Sequence, residues 1–322
     1  MNPIVMDVKC CDTRQGRLLT MLWVGALGFS GAVGCETTDE PPLLAEQTSP
    51  AEEAQWATGT IPEGPLGGER PADFVLPSHY DPGQEWPLIV LIHGYGVAAW
   101  IQDIYLNLTA QADALGAVIL LPNGTENSEG MPYWNASDAC CDFEESDVDD
   151  VGYLMGLIAE ARDVFHIDPS RVLLVGHSNG GYMAHVLACG SSDVITGILS
   201  LSAPMPLLAQ DCEPDHPVTI VQAHGTEDKT VHYDGVEETY PSAEETFERW
   251  SALNGCSGEP VVVGPVDYDE DIAGPESTVL THDACDGGVG VQFLSMEGTA
   301  HIPIFDERFI RDTVGFLIDR PR

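Results

Sequence analysis

The chain has 322 residues, of which 43% are hydrophobic, enough for one large domain with a full core. It carries 52 acidic and 12 basic side chains, so its net charge is −40 and nucleic acids and anionic membrane surfaces should repel it. This balance excludes a nucleic-acid partner. The acidic runs at 142–150 and 267–271 lack the spacing of an EF-hand, so we interpret them as solvated surface and predict no metal site and no cofactor.

The N-terminus has the features of an export signal. Basic residues precede an apolar run at positions 18–34, which ends in small residues directly before Cys35. Small residues before a cysteine resemble the lipobox of bacterial lipoproteins, in which the cysteine is lipidated. We therefore expect residues 1–34 to be a lipoprotein-type signal peptide and the protein to be exported, as an outer-membrane lipoprotein or into the medium. A plain secretory signal cut nearby is the alternative.

Residues 35–68 are rich in Pro, Glu, Thr and Gly and lack periodicity, which predicts a flexible tether that leaves the lipidated terminus as the only membrane contact. From residue 69 to 322, short apolar runs alternate with helical patterns, which predicts a mainly parallel sheet covered by helices. The predicted strands are 87–93, 117–121, 171–176, 195–201, 217–223 and 291–295, and the predicted helices are 148–165, 179–189, 243–253 and 306–318.

The segment Gly176-His-Ser-Asn-Gly-Gly fits the pattern G-x-S-x-G between a predicted strand and a predicted helix. That context is required of a nucleophile elbow, in which a strained turn holds the serine hydroxyl above the sheet edge. We therefore predict that Ser178 is a nucleophile and that the domain has the α/β-hydrolase fold, with helices on both faces of the sheet.

A serine nucleophile needs a base and an acid that orients the base. In α/β-hydrolases the chain order is serine, acid, histidine. His301 follows the last predicted strand and is the predicted base, with His282 as its competitor. Asp228 follows the strand at 217–223 and is the predicted acid, ahead of Glu227 and Asp234.

The tetrahedral intermediate of ester cleavage needs two donors in an oxyanion hole. The backbone N–H of Asn179 should supply one, and that of Tyr95, in the loop after the first long strand, should supply the other. His93 begins that loop and is interpreted as a residue that orders it. Aromatic rings can stack on an aromatic acyl group or a sugar, although core residues look the same in sequence, so we name as candidate cleft residues Trp100, Tyr133 and Trp134.

Several segments together resemble the esterase family of polyhydroxybutyrate depolymerases, feruloyl esterases and acetylxylan esterases. They include PLIVLIHGYG, YWNASDACC, VDDVGYL, GHSNGG, HGTED and EGTAH, over residues 87–301. The Trp-Asn-Ala-x-x-x-Cys-Cys element discriminates most, because general lipases lack it. The resemblance implies a triad of Ser178, Asp228 and His301. The family's Trp-Pro after the histidine is Ile302-Pro303 here, so the local cleft wall should differ and the resemblance alone does not assign the substrate.

Six cysteines lie beyond Cys35, an even number that fits three disulfides in an exported protein. Cys140 and Cys141 are adjacent, with Cα atoms ~3.8 Å apart across a trans peptide, so we expect them to find separate partners. Cys189 and Cys212 flank one strand and are available. Cys256 and Cys285 would then pair with each other.

These features predict a serine esterase that needs no cofactor and acts on feruloyl or acetyl esters of plant polysaccharides. A polyhydroxyalkanoate-type depolymerase is the alternative substrate assignment, and a peptidase is the competitor among hydrolases. A non-catalytic surface-binding lipoprotein is the alternative from another class.

Overall fold

A computed structural model of the protein describes residues 61–322. The predicted signal peptide, Cys35 and the tether up to residue 60 lie outside the described residues. Leu66 is buried and pairs with Ala72, so the packed chain begins before residue 69, the predicted start of the domain. Among the described residues, no helix is long and apolar enough to cross a lipid bilayer.

The domain is built on a nine-stranded sheet. Its strands are β1 Asp73–Val75, β2 Trp86–Ile92, β3 Val118–Leu121, β6 Ile167–His177, β7 Gly197–Leu201, β8 Thr219–Gly225, β9 Val261–Val266, β10 Ser277–His282 and β11 Val291–Met296, and a separate hairpin joins β4 Thr125–Glu126 to β5 Pro132–Tyr133. The strands lie side by side in the order β1-β3-β2-β6-β7-β8-β11-β10-β9. The six strands from β3 to β11 in this order are parallel, whereas β1, β10 and β9 are antiparallel to their neighbours.

Helices cover both faces of this sheet, because its central strands are apolar on both sides. In β2, Leu88 and Val90 pack into one core, whereas Ile89 and Leu91 pack into the other. The first core holds the buried faces of α3 Asp150–Val164, α4 Asn179–Gly190 and α5 Ala243–Leu253. The second core holds those of α1 Ala99–Leu106, α2 Ala112–Leu115 and α6 Glu307–Ile318. The predicted α/β-hydrolase architecture is therefore confirmed.

Three predicted helices begin at side-chain caps. Asp149, Ser242 and Asp306 each accept a hydrogen bond from a backbone N–H in the first turn of α3, α5 and α6. The predicted bounds of these helices agree with the structure to within two residues at each end. The helix α1 was not predicted, and Ala98, the N-cap residue that precedes it, offers no side-chain cap.

The far edge of the sheet was also missed. The strand β9 exposes nearly all of its residues and contains Gly264 and Pro265, so it lacks the apolar periodicity of a buried strand. The strand β10 alternates between buried and partly exposed positions, as an antiparallel strand near an edge does.

Candidate active site

Ser178 lies in a tight turn between β6 and α4. Its φ of 54° and ψ of −121° place it in a region that side-chain-bearing residues rarely adopt. Two glycines permit this turn, since a Cβ at Gly176 would collide with the carbonyl oxygen of Gly180, and a Cβ at Gly180 would collide with that of Ile92. The geometry is that of the predicted nucleophile elbow, and it leaves the serine side chain partly exposed.

His301 stands between Ser178 and Asp228. Its Nε2 lies 3.0 Å from Ser178 Oγ, and its Nδ1 lies 2.7 Å from Asp228 Oδ2. The three side chains meet because β6, β8 and β11 are parallel, so that the loops after them emerge at the same edge of the sheet. With Nδ1–H donating to the carboxylate, Nε2 is free to accept the serine proton.

The carboxylate of Asp228 is held ionised. Its Oδ1 accepts hydrogen bonds from the backbone N–H groups of Thr230 and Val231, at 2.8 and 2.9 Å. Burial alone would raise the pKa of Asp228, but hydrogen bonds from His224 and His301 outweigh it and hold that pKa well below its usual range. A permanently charged carboxylate is the partner that an imidazolium formed at His301 would need.

The alternative acid and base residues lie elsewhere. Glu227 and Asp234 are exposed, and the structure gives neither a hydrogen bond to His301. His282 pairs with Val291 at the beginning of β11, whereas His301 follows the end of that strand. His282 therefore lies at the end of the strands opposite to the end that carries Ser178.

Two histidines that sequence reasoning did not place in the site also lie there. His177, immediately before the serine, has its Nε2 3.0 Å from the carbonyl oxygen of His301, and burial lowers the pKa of His177 to about 3. His224 is fully buried, with Nε2 2.8 Å from the carbonyl oxygen of Val231 and 3.4 Å from Asp228 Oδ2. In sequence, the only signal that these histidines contact the site is that each precedes a predicted catalytic residue, His177 by one position and His224 by four.

The two predicted oxyanion donors flank the serine. Asn179 is the first residue of α4, where a backbone N–H has no partner within the helix. The loop with Tyr95 approaches from β2, since a Cβ at Gly94 would lie 3.6 Å from Ser178 Cβ. In residues 61–322, neither the N–H of Tyr95 nor that of Asn179 donates a hydrogen bond to another protein atom. Both are thus available to a substrate oxygen.

The prediction of three aromatic cleft residues is wrong for two of them. Tyr133 is 2% exposed and Trp134 is 0% exposed, so neither ring can present a face to a substrate. The hydroxyl of Tyr133 is instead 2.6 Å from Ser146 Oγ, and the indole of Trp134 is part of the core. Trp100, on α1, is 63% exposed and keeps its candidate role.

An open cavity of about 310 Å³ lies in the segment between β5 and α3. It borders the loop after β2 that carries Tyr95 (residues 93–96, here called the oxyanion loop), because the rings of Phe143, which lines the cavity, and Tyr95 are 5.5 Å apart. The cavity combines an aromatic ring and a disulfide with amide, hydroxyl and carboxylate groups. Its lining residues are Asn135, Ser137, Asp138, Cys140, Cys141, Asp142, Phe143, Glu145 and Asp147.

All six predicted disulfide cysteines are paired, but the expectation of separate partners for Cys140 and Cys141 is wrong. These two residues are bonded to each other, with Cα atoms 3.1 Å apart. The expectation assumed a trans peptide bond between them, whereas that bond is cis. The remaining pairs are Cys189–Cys212 and Cys256–Cys285.

The acidic segments contain two buried carboxylates, which corrects their interpretation as wholly solvated. Asp150 pairs with Arg70 at 2.8 Å and accepts from the Asn135 N–H, while Asp269 accepts from the Ile304 N–H. Within the described part of the chain, no group of three or more His, Cys, Asp or Glu residues is arranged to hold a metal ion.

Solved structures with the same fold include two esterases. An acetyl xylan esterase from Aspergillus awamori superposes with a TM-score of 0.55 at 12% identity, over 80% of this chain and 98% of that protein. The esterase PE8 superposes with a TM-score of 0.51 at 15% identity, over 77% of this chain and 98% of that protein. At such identities the likeness concerns the fold alone.

Relatives found by sequence comparison include two polysaccharide-directed esterases and a polyester depolymerase. Feruloyl esterase B of Piromyces equi is 26% identical over 70% of this chain, and a bifunctional acetylxylan esterase/xylanase of Neocallimastix patriciarum is 24% identical over 74%. A poly(3-hydroxybutyrate) depolymerase of Ralstonia pickettii is 29% identical over 51%. The matched regions span only 41%, 31% and 35% of these proteins.

The family model for phospholipases and carboxylesterases matches residues 80–252, more than half of the chain. This match begins before β2 and ends within α5, so it contains the nucleophile elbow and the loop that carries Asp228. The chain belongs to the phospholipase/carboxylesterase family.

Proposed function

We propose that the protein is a serine carboxylesterase. Ser178 Oγ attacks the ester carbonyl carbon while His301 Nε2 takes its proton, and the N–H groups of Tyr95 and Asn179 stabilise the oxyanion. When the tetrahedral intermediate collapses, the protonated His301 gives that proton to the departing alcohol. A water molecule, deprotonated by the same imidazole, then attacks the acyl-enzyme. When this second tetrahedral intermediate collapses, His301 returns the proton to Ser178 Oγ and the carboxylic acid leaves. Asp228 stabilises the imidazolium in both steps.

The observation that carries this proposal is the unbroken chain of contacts from Ser178 through His301 to Asp228, at 3.0 and 2.7 Å. A protein that had kept the fold only for binding would be under no constraint to keep these distances, nor a serine in a strained backbone conformation. We therefore favour an enzyme over a non-catalytic surface protein.

For the substrate, we propose feruloyl or acetyl esters of plant polysaccharides. The similarity to a feruloyl esterase and an acetylxylan esterase supports this class. Apolar side chains near the site could contact an aromatic acyl group, since Tyr105 of α1 touches both His177 and Phe305 and so brings α1 beside the segment after His301. These exposed side chains are Trp100, Ile101, Ile104, Ile302 and Ile304.

A polyhydroxyalkanoate-type substrate is the second candidate. The similarity to a poly(3-hydroxybutyrate) depolymerase and the aliphatic character of Ile104, Ile302 and Ile304 favour it. Both candidate substrates are neutral, which suits a chain with a net charge of −40.

We also propose that the protein is exported and that Cys35 is lipidated at the outer membrane. Three disulfides support an oxidising compartment. Labelling the producing bacterium with an alkyne-bearing fatty acid tests the anchor. The label should appear on the wild-type protein and be absent from Cys35→Ser, and a wild-type protein without label would contradict the anchor.

The catalytic proposal is tested with the full chain, made in an oxidising host. Release of p-nitrophenol from acetyl and butyryl esters and of ferulate from methyl ferulate should fall by about 10⁴- to 10⁶-fold in Ser178→Ala. Ser257→Ala, at an exposed serine outside the site, should keep full activity. Activity that survives Ser178→Ala would contradict the proposal. Acetylated xylan and hydroxybutyrate oligomers, assayed side by side, decide between the two substrate classes.

A further inference from the structure

Trp134 contacts both segments that carry the proposed oxyanion donors, the N-terminus of α4 and the loop after β2. It belongs to the Trp-Asn-Ala-x-x-x-Cys-Cys element that distinguishes the sequence, and it follows the short strand β5. Because it is 0% exposed, it cannot contact a substrate. Its hydrogen bonds, however, reach both sides of the nucleophile.

The backbone of Trp134 is clamped by the side chain of Asn179. Asn179 Oδ1 accepts a hydrogen bond from the Trp134 N–H at 2.7 Å, and Asn179 Nδ2 donates to the Trp134 carbonyl oxygen at 2.9 Å. Asn179 is itself 0% exposed, so neither bond competes with water. The residue whose backbone N–H is one proposed donor is thus oriented through its side chain.

The indole of Trp134 reaches the other donor loop. Its Nε1–H donates to the carbonyl oxygen of His93 at 3.0 Å, and the two rings lie 4.9 Å apart. His93 Nε2 accepts from the Gly124 N–H at 2.8 Å, and its Nδ1 lies 2.8 Å from the Gly94 carbonyl oxygen. Since burial lowers the pKa of His93 to about 4, its ring stays neutral and Nε2 can accept this bond.

We propose that Trp134 is a positioning residue that fixes the distance between the two halves of the oxyanion hole. Through Asn179 it orients the first donor, and through the His93 carbonyl it anchors the loop of the second donor, Tyr95. The proposal rests on the proposed esterase function. Electrostatic stabilisation of an oxyanion depends on donors already in place, so a loosened pair should act on the transition state rather than on substrate binding.

The test is Trp134→Phe in the full chain, which removes the indole N–H and keeps an aromatic ring. We expect kcat for p-nitrophenyl butyrate to fall by about 10- to 100-fold, with KM changed by no more than about twofold. The affinity for an aryl trifluoromethyl ketone, which adds to the serine and forms an oxyanion, should fall by the same factor as kcat.

Trp86→Phe is the matched control. Trp86 is 7% exposed and its Nε1–H also donates to a backbone carbonyl oxygen, that of Asp81, at 2.8 Å. It begins β2, at the opposite end of the strand from the oxyanion loop. Trp86→Phe should lower the melting temperature without changing kcat, which separates loss of a buried indole bond from loss of positioning.

A second variant keeps the proposal open to refutation if Trp134→Phe does not fold. Asn179→Ala removes the clamp but leaves the backbone donor, and should show the same loss of kcat and of ketone affinity at nearly constant KM. Because both substitutions break one linkage, their effects on kcat should not add in the double variant.

Two results would overturn the proposal: kcat within about twofold of wild type, or a loss of kcat with unchanged ketone affinity. An inactive wild-type protein, or activity that survives Ser178→Ala, would instead contradict the esterase function itself.

Discussion

The side chain of His177 donates a hydrogen bond from Nε2 to the backbone carbonyl oxygen of His301, at 3.0 Å. The residue before the proposed nucleophile therefore holds the loop of the proposed base, across 124 positions of sequence. The donor role of Nε2 is fixed, because its partner is a carbonyl oxygen and burial keeps the ring neutral by lowering the pKa of His177 to about 3. Ser202 Oγ lies 3.4 Å from the same carbonyl oxygen.

Loss of the His177 donor should slow catalysis. In His177→Leu the His301 loop is free to shift, and a small displacement of a base costs rate, so kcat should fall by about 10-fold or more. His177→Gln can place its Nε2 where the imidazole Nε2 lay and should recover most of the loss. Steady-state kinetics of the two variants check this, and equal losses in both would mean that the hydrogen bond is unimportant.

The meeting of Ser178, Asp228 and His301, the proposed triad, could be predicted because each follows a buried parallel strand, and the carboxyl ends of parallel strands lie at the same end of the sheet. The hydrogen bonds that position these residues could not be predicted. That of His177 depends on the path of a loop far along the chain, and that of Trp134 on a rotamer set by core packing. Trp134 was assigned to the cleft because an aromatic residue before a loop looks the same in either role.

The parts of the fold that escaped prediction have weak local signals. The valines of β9 are exposed, so the strand exists through its pairing with β10 rather than through burial. The peptide bond between Cys140 and Cys141 is cis, which is rare outside proline, so their pairing was not expected from the sequence.

Three buried histidines should make the fold sensitive to acid. Burial lowers the pKa of His93 and His185 to about 4 and that of His177 to about 3, whereas in the unfolded chain such groups protonate near pH 6.5. From about pH 6.5 down to about pH 4 the unfolded state binds more protons, so the free energy of unfolding should fall as the pH falls.

Urea unfolding between pH 7 and pH 4.5 measures this slope. His185→Gln should reduce it by about one proton, since glutamine can still bond to Gln222 and Trp250, the two partners of His185. His216→Gln, at an exposed position, should leave the slope unchanged. A slope that His185→Gln does not alter would show that this imidazole protonates equally in both states.

The bridge between Cys256 and Cys285 should stabilise the fold without affecting the site. It closes a loop with a sequence separation of 29, so replacing both cysteines by serine should cost about 3.6 kcal/mol in the chain-entropy description. Cys285 follows β10 at the end of the strands opposite to Ser178, so replacing the bridge should leave kcat unchanged. Calorimetry and kinetics test both statements, and peptide mapping without reduction should find the three pairs of the structure. A lower kcat would contradict the separation of this bridge from the site.

Breaking the buried ion pair of Asp150 should destabilise the domain. The carboxylate is fully buried, lies 2.8 Å from Arg70 Nη1 and accepts from the Asn135 N–H at 2.8 Å. Asp150→Asn leaves Arg70 without its counter-charge, and the free energy of unfolding should fall by about 3 kcal/mol. Asp163→Asn, at an exposed position of the same helix, should change it by less than about 0.5 kcal/mol. Similar losses in the two variants would contradict the importance of burial.

Salt should reveal the charge preference of the active site. Exposed Asp138, Glu145 and Asp147 line the cavity beside Tyr95, in a chain with a net charge of −40. At about 0.01 M ionic strength such charges act over ~30 Å, whereas at 1 M they act over ~3 Å. Raising NaCl should therefore increase kcat/KM for an aryl hemisuccinate, an anionic ester, several-fold, and change kcat/KM for the neutral aryl butyrate little. Equal responses of the two esters would mean that these exposed carboxylates do not select against anionic substrates.

The melting temperature of the protein should also rise over the same range of NaCl concentration, because salt screens the repulsion among the carboxylates.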